Sequence, residues 1–210
     1  KNIIILATTL QILLLNCNFA LAESPKNYLE GKFYSSVKNH FLISTEKLKD
    51  SRFEKTVIVM LESDENGAWG LVINKLIGTM PIALLLDPSL SSSEEREYLY
   101  KVKVPIFWGG PVEVDTIFVL HSTEYQSKTT KDYGNISITQ DYKILLDIAA
   151  NKGPKESLII LGYSGWGSGQ LEGEMEKDRW ILSNIDIDII FEEDLKNKWK
   201  EAIKSSFIKI

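Results

Sequence analysis

The chain has very little thiol or imidazole chemistry, with one cysteine, Cys17, and two histidines, His40 and His121, among 210 residues. Cys17 lies in an apolar N-terminal segment that we interpret below as an export signal. The remainder then has no disulfide, no cysteine-ligated zinc site and no cysteine nucleophile. The two histidines lie far apart in sequence and show no HxxxH-type spacing, so we expect no metal and no cofactor.

Basic residues are in the minority. The chain has 24 lysines and arginines against 29 aspartates and glutamates, a formal net charge of −5. Of the first 22 residues only Lys1 is charged, so the rest of the chain is more acidic still. Binding to a phosphate backbone requires a basic face, and we therefore expect no direct nucleic-acid binding.

Long hydrophobic runs are confined to the N-terminus, where Lys1 precedes the apolar run Ile3–Leu15 and Ala20-Leu21-Ala22 follows. This order is typical of a secretory signal with its small-x-small cleavage site. We predict a signal peptide over residues 1–22, a lead-in over 23–39 and one domain over 40–210, with no membrane insertion of the mature domain. The alternatives are an uncleaved anchor and an over-extended gene start on a cytosolic protein.

The rest of the chain mixes hairpins and helices without a regular βαβ rhythm, which predicts an α+β domain. The Asn66-Gly67 turn predicts antiparallel pairing of its two flanking strands. Strands are predicted at Phe41–Thr45, Val57–Leu61, Trp69–Asn74, Val104–Trp108, Ile117–His121, Ile136–Ile138, Ser157–Gly162, Trp180–Leu182 and Ile185–Ile187. Helices are predicted at Met80–Leu86, from the capping-box pattern at 91–95 to about Tyr100, at Asp141–Ala150 after an N-cap at Thr139, from Gln170, and at Glu192–Ser205. The segment Ser122–Tyr133 is predicted as a surface loop, and the acidic tract Asp186–Asp194 as an alternating strand edge.

The segment Ser157–Trp180 predicts a buried strand, a glycine loop and a helix start, an arrangement common in binding sites. No named motif fits it. A nucleophile elbow around Ser164 fails because Trp166 stands where its second glycine belongs, and a dinucleotide fingerprint fails at Gln170. Glutamates early in the helix disfavour phosphate there. We interpret the motif as structural, with Trp166 and Trp180 packing the helix onto the sheet.

Two other polar side chains have structural interpretations. His121 ends an apolar strand, where a hydrogen-bonded structural histidine is expected more often than a general base. Asn74 follows the second hairpin strand and is expected to fix a turn rather than to hold a substrate.

Four separated segments together resemble the AlgH/YqgE-like family of bacterial proteins: DENGAWGLVIN (64–74), FWGGP (107–111), VLHS (119–122) and LGYSGWGSGQLE (161–172). The resemblance spans roughly residues 40–205 and implies a single α+β domain, with a branched, barrel-like sheet of mixed and antiparallel strands surrounded by helices. It also implies no established enzymatic activity, and one branch of the family has been described as a transcriptional regulator. The positions that match the family are Gly67, Gly70, Asn74, Gly109, Gly110, Pro111, His121, Gly162, Gly165, Trp166, Gly169, Gln170, Leu171, Glu172 and Trp180.

The chain departs from the family pattern at three points. Lys75-Leu76 stand where arginine and proline usually follow the hairpin asparagine, Glu46 replaces a proline, and an export signal is unexpected in a family that otherwise looks cytosolic. Two functional hypotheses follow. The first is a non-enzymatic binding or regulatory domain that contacts a protein or a small molecule. The alternative is a hydrolase or transferase at the Gly162–Glu172 loop, with Ser164, His121 and Glu172 converging.

Overall fold

A computed structural model of the chain describes residues 36–90, 92–192 and 194–206, so the predicted signal peptide and most of the lead-in lie outside the described residues. The strands are β1 His40–Ser44, β2 Val57–Asp64, β3 Gly67–Val72, β4 Leu76–Pro81, β5 Lys103–Trp108, β6 Val112–His121, β7 Lys131–Tyr133, β8 Ile136–Thr139, β9 Ser157–Gly167 and β10 Trp180–Asn184. The α-helices are α1 Ser93–Lys101, α2 Lys143–Ala149, α3 Gln170–Met175, α4 Ile187–Phe191 and α5 Leu195–Lys204, and 3₁₀ turns lie at Ser51–Phe53, Ile82–Leu84 and Pro88–Leu90. In the described ranges, no helix is both long enough and apolar enough to cross a lipid bilayer.

The sheet branches at β9. Its main path runs β10-β1-β2-β3-β9-β6-β8-β7, and β5, which also pairs with β4, joins β9 off this path. The first half of β9 pairs antiparallel with β6 and parallel with β5, whereas its last residues pair with β3. This mixed, branched sheet with helices packed on it confirms the predicted α+β fold.

The antiparallel hairpin of β2 and β3 is confirmed, but its turn is Glu65-Asn66, one residue before the predicted Asn66-Gly67 turn, and Gly67 is the first residue of β3. The apolar run Val57–Leu61 is buried on both faces of the sheet because alternate side chains enter different cores. Val57, Val59 and Leu61 face the first core, which is covered by α4 and α5. Ile58 and Met60 face the second core, which contains Trp166 and Trp180. A third core lies under α1, α2 and the turn at Ile82–Leu84.

The predicted glycine loop after Gly162 is wrong, because β9 continues as a strand to Gly167. Gly162 has φ of +69°, a left-handed conformation that redirects the strand without ending it. Beyond Gly162, β9 pairs with β3 through residues 164–167. Glycine is a poor strand former, but a neighbouring strand with exposed backbone groups overrides local propensity.

Two further predictions fail at short apolar runs, which periodicity alone cannot assign. The predicted helix Met80–Leu86 is instead the end of β4 followed by a 3₁₀ turn, because β4 pairs with β5 up to Pro81. The predicted strand Ile185–Ile187 and the strand edge after it are replaced by α4. Asp186 caps that helix by accepting from the backbone N–H of Asp188.

Smaller corrections concern three boundaries. Thr139 is the last residue of β8 and does not cap a helix, since α2 begins at Lys143. The predicted loop Ser122–Tyr133 ends in the short strand β7. The strand predicted from Ile117 begins at Val112 and contains a bulge.

Helix α5 presents Leu195, Trp199 and Ile203 to the first core, as predicted. The same helix buries Lys198 completely, with its ammonium donating to the carbonyl oxygens of Ile73 at 3.2 Å and Ile190 at 2.7 Å. Removal of the ammonium from water lowers the pKa of Lys198 to about 8.

We expect alanine at Gly110 to disrupt the fold. Gly110 has φ of +150°, and an added Cβ would lie 2.2 Å from the backbone carbonyl of Tyr163. Gly110→Ala should therefore cost more than about 4 kcal/mol, as severe backbone clashes do. Gly173→Ala is the matched control, because its Cβ meets open space within α3 and should add about 0.5–1 kcal/mol of stability. Urea denaturation checks both values, and equal stability of the two variants would contradict this packing.

We also expect a pH-dependent stability that traces to Lys198. Between pH 8 and the ordinary lysine pKa of 10.5, the unfolded chain holds a proton that the folded chain has released. The free energy of unfolding should therefore rise across this window, by on the order of 3 kcal/mol, relative to Lys198→Met. Denaturation of both proteins at pH 7.5, 9 and 10.5 measures the difference, and parallel pH profiles would show that Lys198 is not desolvated.

Candidate functional site

The candidate site forms where the chain crosses itself between β5 and β6. Gly109 donates its backbone N–H to Leu161 at 2.8 Å, and its carbonyl oxygen accepts from Val72 at 3.1 Å and from the Ser164 hydroxyl at 3.0 Å. A Cβ on Gly109 would lie 2.1 Å from the carbonyl oxygen of Gly162. The Gly-Gly-Pro segment therefore lies directly against β9, and these glycines are required by backbone contact.

Beyond this crossing, β3 pairs with β2 on one edge and with the end of β9 on the other, and the paired β3 and β9 segments, which we call the β3–β9 ribbon, present different side chains on their two faces. Trp69 lies opposite Gly165, and Ala68 lies opposite Trp166. Because side chains alternate along a strand, Trp69 and Tyr163 occupy one face while Ser164 and Trp166 occupy the other. The ribbon lies between two cavities, and Gly165 and Trp166 border both of them.

On the Trp166 face, one carboxylate holds two tryptophans. Oε2 of Glu174 accepts the indole N–H of Trp166 at 3.1 Å and that of Trp180 at 2.6 Å. The two indole rings meet edge to face, with centroids 5.8 Å apart. Both rings are buried, at 8% and 4% exposure, so they pack α3 onto the sheet as predicted.

These rings form one wall of a cavity of about 330 Å³, which we call the tryptophan cleft. Phe53 contacts Trp180 edge to face, with ring centroids 5.8 Å apart, and also lines the cleft. The cleft is lined by Leu48, Lys49, Asp50, Arg52, Phe53, Pro111, Ser164, Gly165, Trp166, Gln170, Glu174, Arg179 and Trp180. Five of the predicted family positions line it, namely Pro111, Gly165, Trp166, Gln170 and Trp180.

The charges in the tryptophan cleft do not cancel. Arg52 and Asp50 form a close pair, with Nη2 to Oδ2 at 2.6 Å, and the hydrogen bond from Arg52 lowers the pKa of Asp50. The carboxylate of Glu174 accepts hydrogen bonds from the two neutral indole N–H groups and keeps its negative charge. In the described parts of the chain, Lys49 and Arg179 have no ion-pair partner. With Lys49, Arg52 and Arg179 against Asp50 and Glu174, the lining of the cleft therefore carries one net positive charge.

The start of α3 is built from the last residues of the LGYSGWGSGQLE segment (161–172). Gly169 stands at the N-cap with φ of +72°, and Gln170 is the first helical residue. The Gln170 side-chain oxygen accepts from the backbone N–H of Gly167 at 3.1 Å. Leu171 is buried against the second core, whereas Glu172 is partly exposed.

Asn74 is structural. Its side-chain oxygen accepts from the backbone N–H of Val57 at 2.9 Å, and its amide donates to the carbonyl of Lys55 at 2.8 Å. Both amide groups are thereby used to close the base of the β2–β3 hairpin. Gly67 and Gly70 lie in the same hairpin, where an added Cβ would clash with backbone oxygens of Trp166 and Val59.

His121 is completely buried and has two partners, as expected for a structural histidine. Its Nδ1 lies 2.8 Å from the carbonyl oxygen of Ser122, and its Nε2 lies 2.9 Å from the hydroxyl of Thr139. Because a carbonyl can only accept, Nδ1 carries the proton and Nε2 accepts from Thr139. Burial lowers the pKa of His121, which favours this neutral form.

The predicted alternative site of Ser164, His121 and Glu172 is not assembled. His121 pairs with Ser157, seven residues before Ser164 on β9, a separation of roughly 20 Å along a strand. The Ser164 hydroxyl donates instead to Gly109. Over the described residues, no group of three histidine, cysteine or carboxylate side chains is placed to hold a metal ion.

Comparison with known proteins decides the family. The model of the AlgH-like family matches residues 41–210. The chain belongs to the AlgH-like family. A UPF0301 protein of Rickettsia canadensis is 34% identical over 178 residues, which cover 84% of this chain and 92% of that protein. A UPF0301 protein of Pseudomonas putida is 40% identical over 159 residues, which cover 75% and 82%.

Solved structures agree with this AlgH-like assignment. The solution structure of AlgH from Pseudomonas aeruginosa matches with a TM-score of 0.68 and 34% identity, covering 81% of this chain and 89% of that one. A crystal structure of a Corynebacterium diphtheriae protein matches with a TM-score of 0.57 at 11% identity, over 80% and 85% of the two chains, and shows likeness of fold alone. The molecular function of the family is not established.

Sequence reasoning missed three important side chains of the tryptophan cleft: Phe53, Glu174 and Arg179. The role of Glu174 could have been predicted from the sequence. Buried indole N–H groups require acceptors, and Glu174 is the first charged residue after Glu172. Phe53 and Arg179 reach the cleft from a 3₁₀ turn and from the loop before β10, and only the tertiary fold brings these elements together.

We expect loss of either part of the indole–carboxylate contact to destabilise the protein. Trp166→Ala should cost about 3–5 kcal/mol, as truncation of a large buried aromatic does. Glu174→Ala should cost about 1–3 kcal/mol, because two indole N–H groups lose their acceptor. Glu176→Ala, an exposed change on the same segment, is the control and should cost less than about 0.5 kcal/mol. Melting temperatures measured by calorimetry should rank in that order, and an effect of Glu176→Ala equal to that of Glu174→Ala would refute it.

Proposed function

We propose that the protein is a non-enzymatic binding domain and that the tryptophan cleft is its ligand site. The observation that supports this proposal is convergence: family-motif residues from three segments, at Pro111, at 165–170 and at Trp180, line one cavity. Two of these family positions, Gly165 and Gln170, are exposed rather than buried. A concave site with aromatic walls and a few polar groups is the usual form of a small-molecule site.

The charge of the cleft favours an anionic ligand with an apolar or aromatic body. Arg179 and Lys49 are unpaired among the described residues, whereas Asp50 is paired with Arg52, so the lining carries three cations against two carboxylates. A carboxylate can be bound by an arginine through two parallel hydrogen bonds. The ring of such a ligand would lie against Phe53 and Trp180. A regulatory role would then operate through this ligand or through a bound partner.

The alternative function, a hydrolase or transferase, lacks a base near its nucleophile. Ser164 borders the cleft, but its hydroxyl is committed to the Gly109 carbonyl and His121 lies at the other end of β9. General-base activation requires a base within about 2.6–3.2 Å of the hydroxyl. These distances support the binding function over this serine mechanism.

Titration of isotopically labelled protein with benzoate tests the proposed site. Benzoate should shift the indole N–H signals of Trp166 and Trp180 with a dissociation constant in the millimolar range, as expected for a ligand of about nine heavy atoms. Arg179→Ala should weaken binding about fivefold or more, whereas Lys177→Ala, an exposed change two residues away, should not. Equal effects of the two variants, or no shift at either indole, would refute an anionic ligand in this cleft.

A further inference from the structure

We infer that the other face of the β3–β9 ribbon holds a second site, specific for organic cations with an apolar or aromatic body. This face carries a cavity of about 520 Å³, larger than the tryptophan cleft, which we call the ring cavity. It lies over the first core and is bordered by β2, β3, β6 and β9. This site is independent of the function proposed above.

The ring cavity has an aromatic floor. Trp69, Phe118 and Tyr163 contact one another with ring centroids 5.7–6.1 Å apart. Trp69 and Tyr163 remain partly exposed, and all three rings line the cavity. Faces of aromatic rings attract cations, and exposed ring surface favours an apolar body next to the charge.

The charged groups that line the ring cavity are all negative. A bulge in β2 between Met60 and Glu62 places Glu62 opposite Trp69, and Asp64, two residues further on, lies on the same face. No lysine, arginine or histidine lines the cavity in the described structure. Glu62 is held by the Tyr133 hydroxyl at 3.2 Å, and Asp64 accepts from the backbone N–H of Asn66 at 2.7 Å. These neutral donors orient the carboxylates without compensating their charge. The cavity is thus complementary to a cation.

Gly165 keeps the ring cavity open. Unlike Gly109 and Gly110, it meets no backbone, since an added Cβ would face Tyr163 Cε2 at 3.1 Å and Val112 Cγ2 at 3.8 Å. Backbone packing therefore does not require glycine at this position. A side chain there would instead occupy space between Tyr163 and Val112, opposite Trp69.

Three probes of similar shape and different charge test the second site: benzylammonium, benzyl alcohol and benzoate. Benzylammonium should bind most tightly of the three at the ring cavity and shift the Trp69 indole signal in two-dimensional NMR. The double variant Glu62→Gln, Asp64→Asn should weaken benzylammonium about fivefold or more and leave benzyl alcohol unchanged. Glu176→Gln, on the far side of the ribbon, is the control and should change neither.

The steric variant Gly165→Val should abolish binding of both benzylammonium and benzyl alcohol, with folding checked by the remaining amide signals. If benzylammonium bound no better than benzyl alcohol, or shifted Trp180 in place of Trp69, the cation site would be refuted. Benzoate binding at the tryptophan cleft is read from the Trp180 indole signal, because Trp180 lines that cleft and does not line the ring cavity. Failure of the cation site is therefore distinguishable from failure of the function proposed for the cleft.

Discussion

The structure depends on a close backbone crossing. The Gly109-Gly110 segment lies against β9 at residues 162–164, with a spacing that leaves no room for a Cβ. Gly109 forms hydrogen bonds with Leu161, Val72 and Ser164, so this one residue connects β9 to the end of β3. Because the crossing holds these strands together, it makes β9 the branch point of the sheet and places the β3–β9 ribbon between the two cavities. The Gly109-Gly110 segment and residues 162–164 of β9, which are far apart in sequence, thus form one backbone contact.

The parts of the fold that local signals determine could be predicted from the sequence. The Asn66-Gly67 turn and the β-branched run before it predicted the β2–β3 hairpin, and the Ser92–Glu95 capping box predicted α1. The extension of β9 to Gly167 could not be predicted in this way. The three glycines there, Gly162, Gly165 and Gly167, argue against a strand, and only the presence of β3, distant in sequence, supplies the pairing partners. Asp186 shows the opposite failure, since its cap creates α4 in a segment whose alternation indicated a strand.

The candidate site likewise has features that could be predicted from the sequence and features that could not. Glycine and tryptophan positions could be named from the sequence because they form a family pattern, and five of them line the tryptophan cleft. Their chemistry could not be inferred, because it depends on which charges are already paired. Asp50 is the clearest case: its carboxylate is paired with Arg52, so the unpaired cations Lys49 and Arg179 become visible only in three dimensions. The separation of His121 from Ser164 likewise required the register of β6 on β9.

The glycine content of the β3–β9 ribbon has a consequence for its register. Four of its eight paired positions are glycine, namely Gly67, Gly70, Gly165 and Gly167. Strands so rich in glycine specify their alignment weakly, and a slip by one residue would turn every side chain to the opposite face. Trp166 prevents this slip, because its indole reaches the carboxylate of Glu174 only from the face it now occupies. The indole–carboxylate contact therefore fixes the register of the ribbon and also packs α3 onto the sheet.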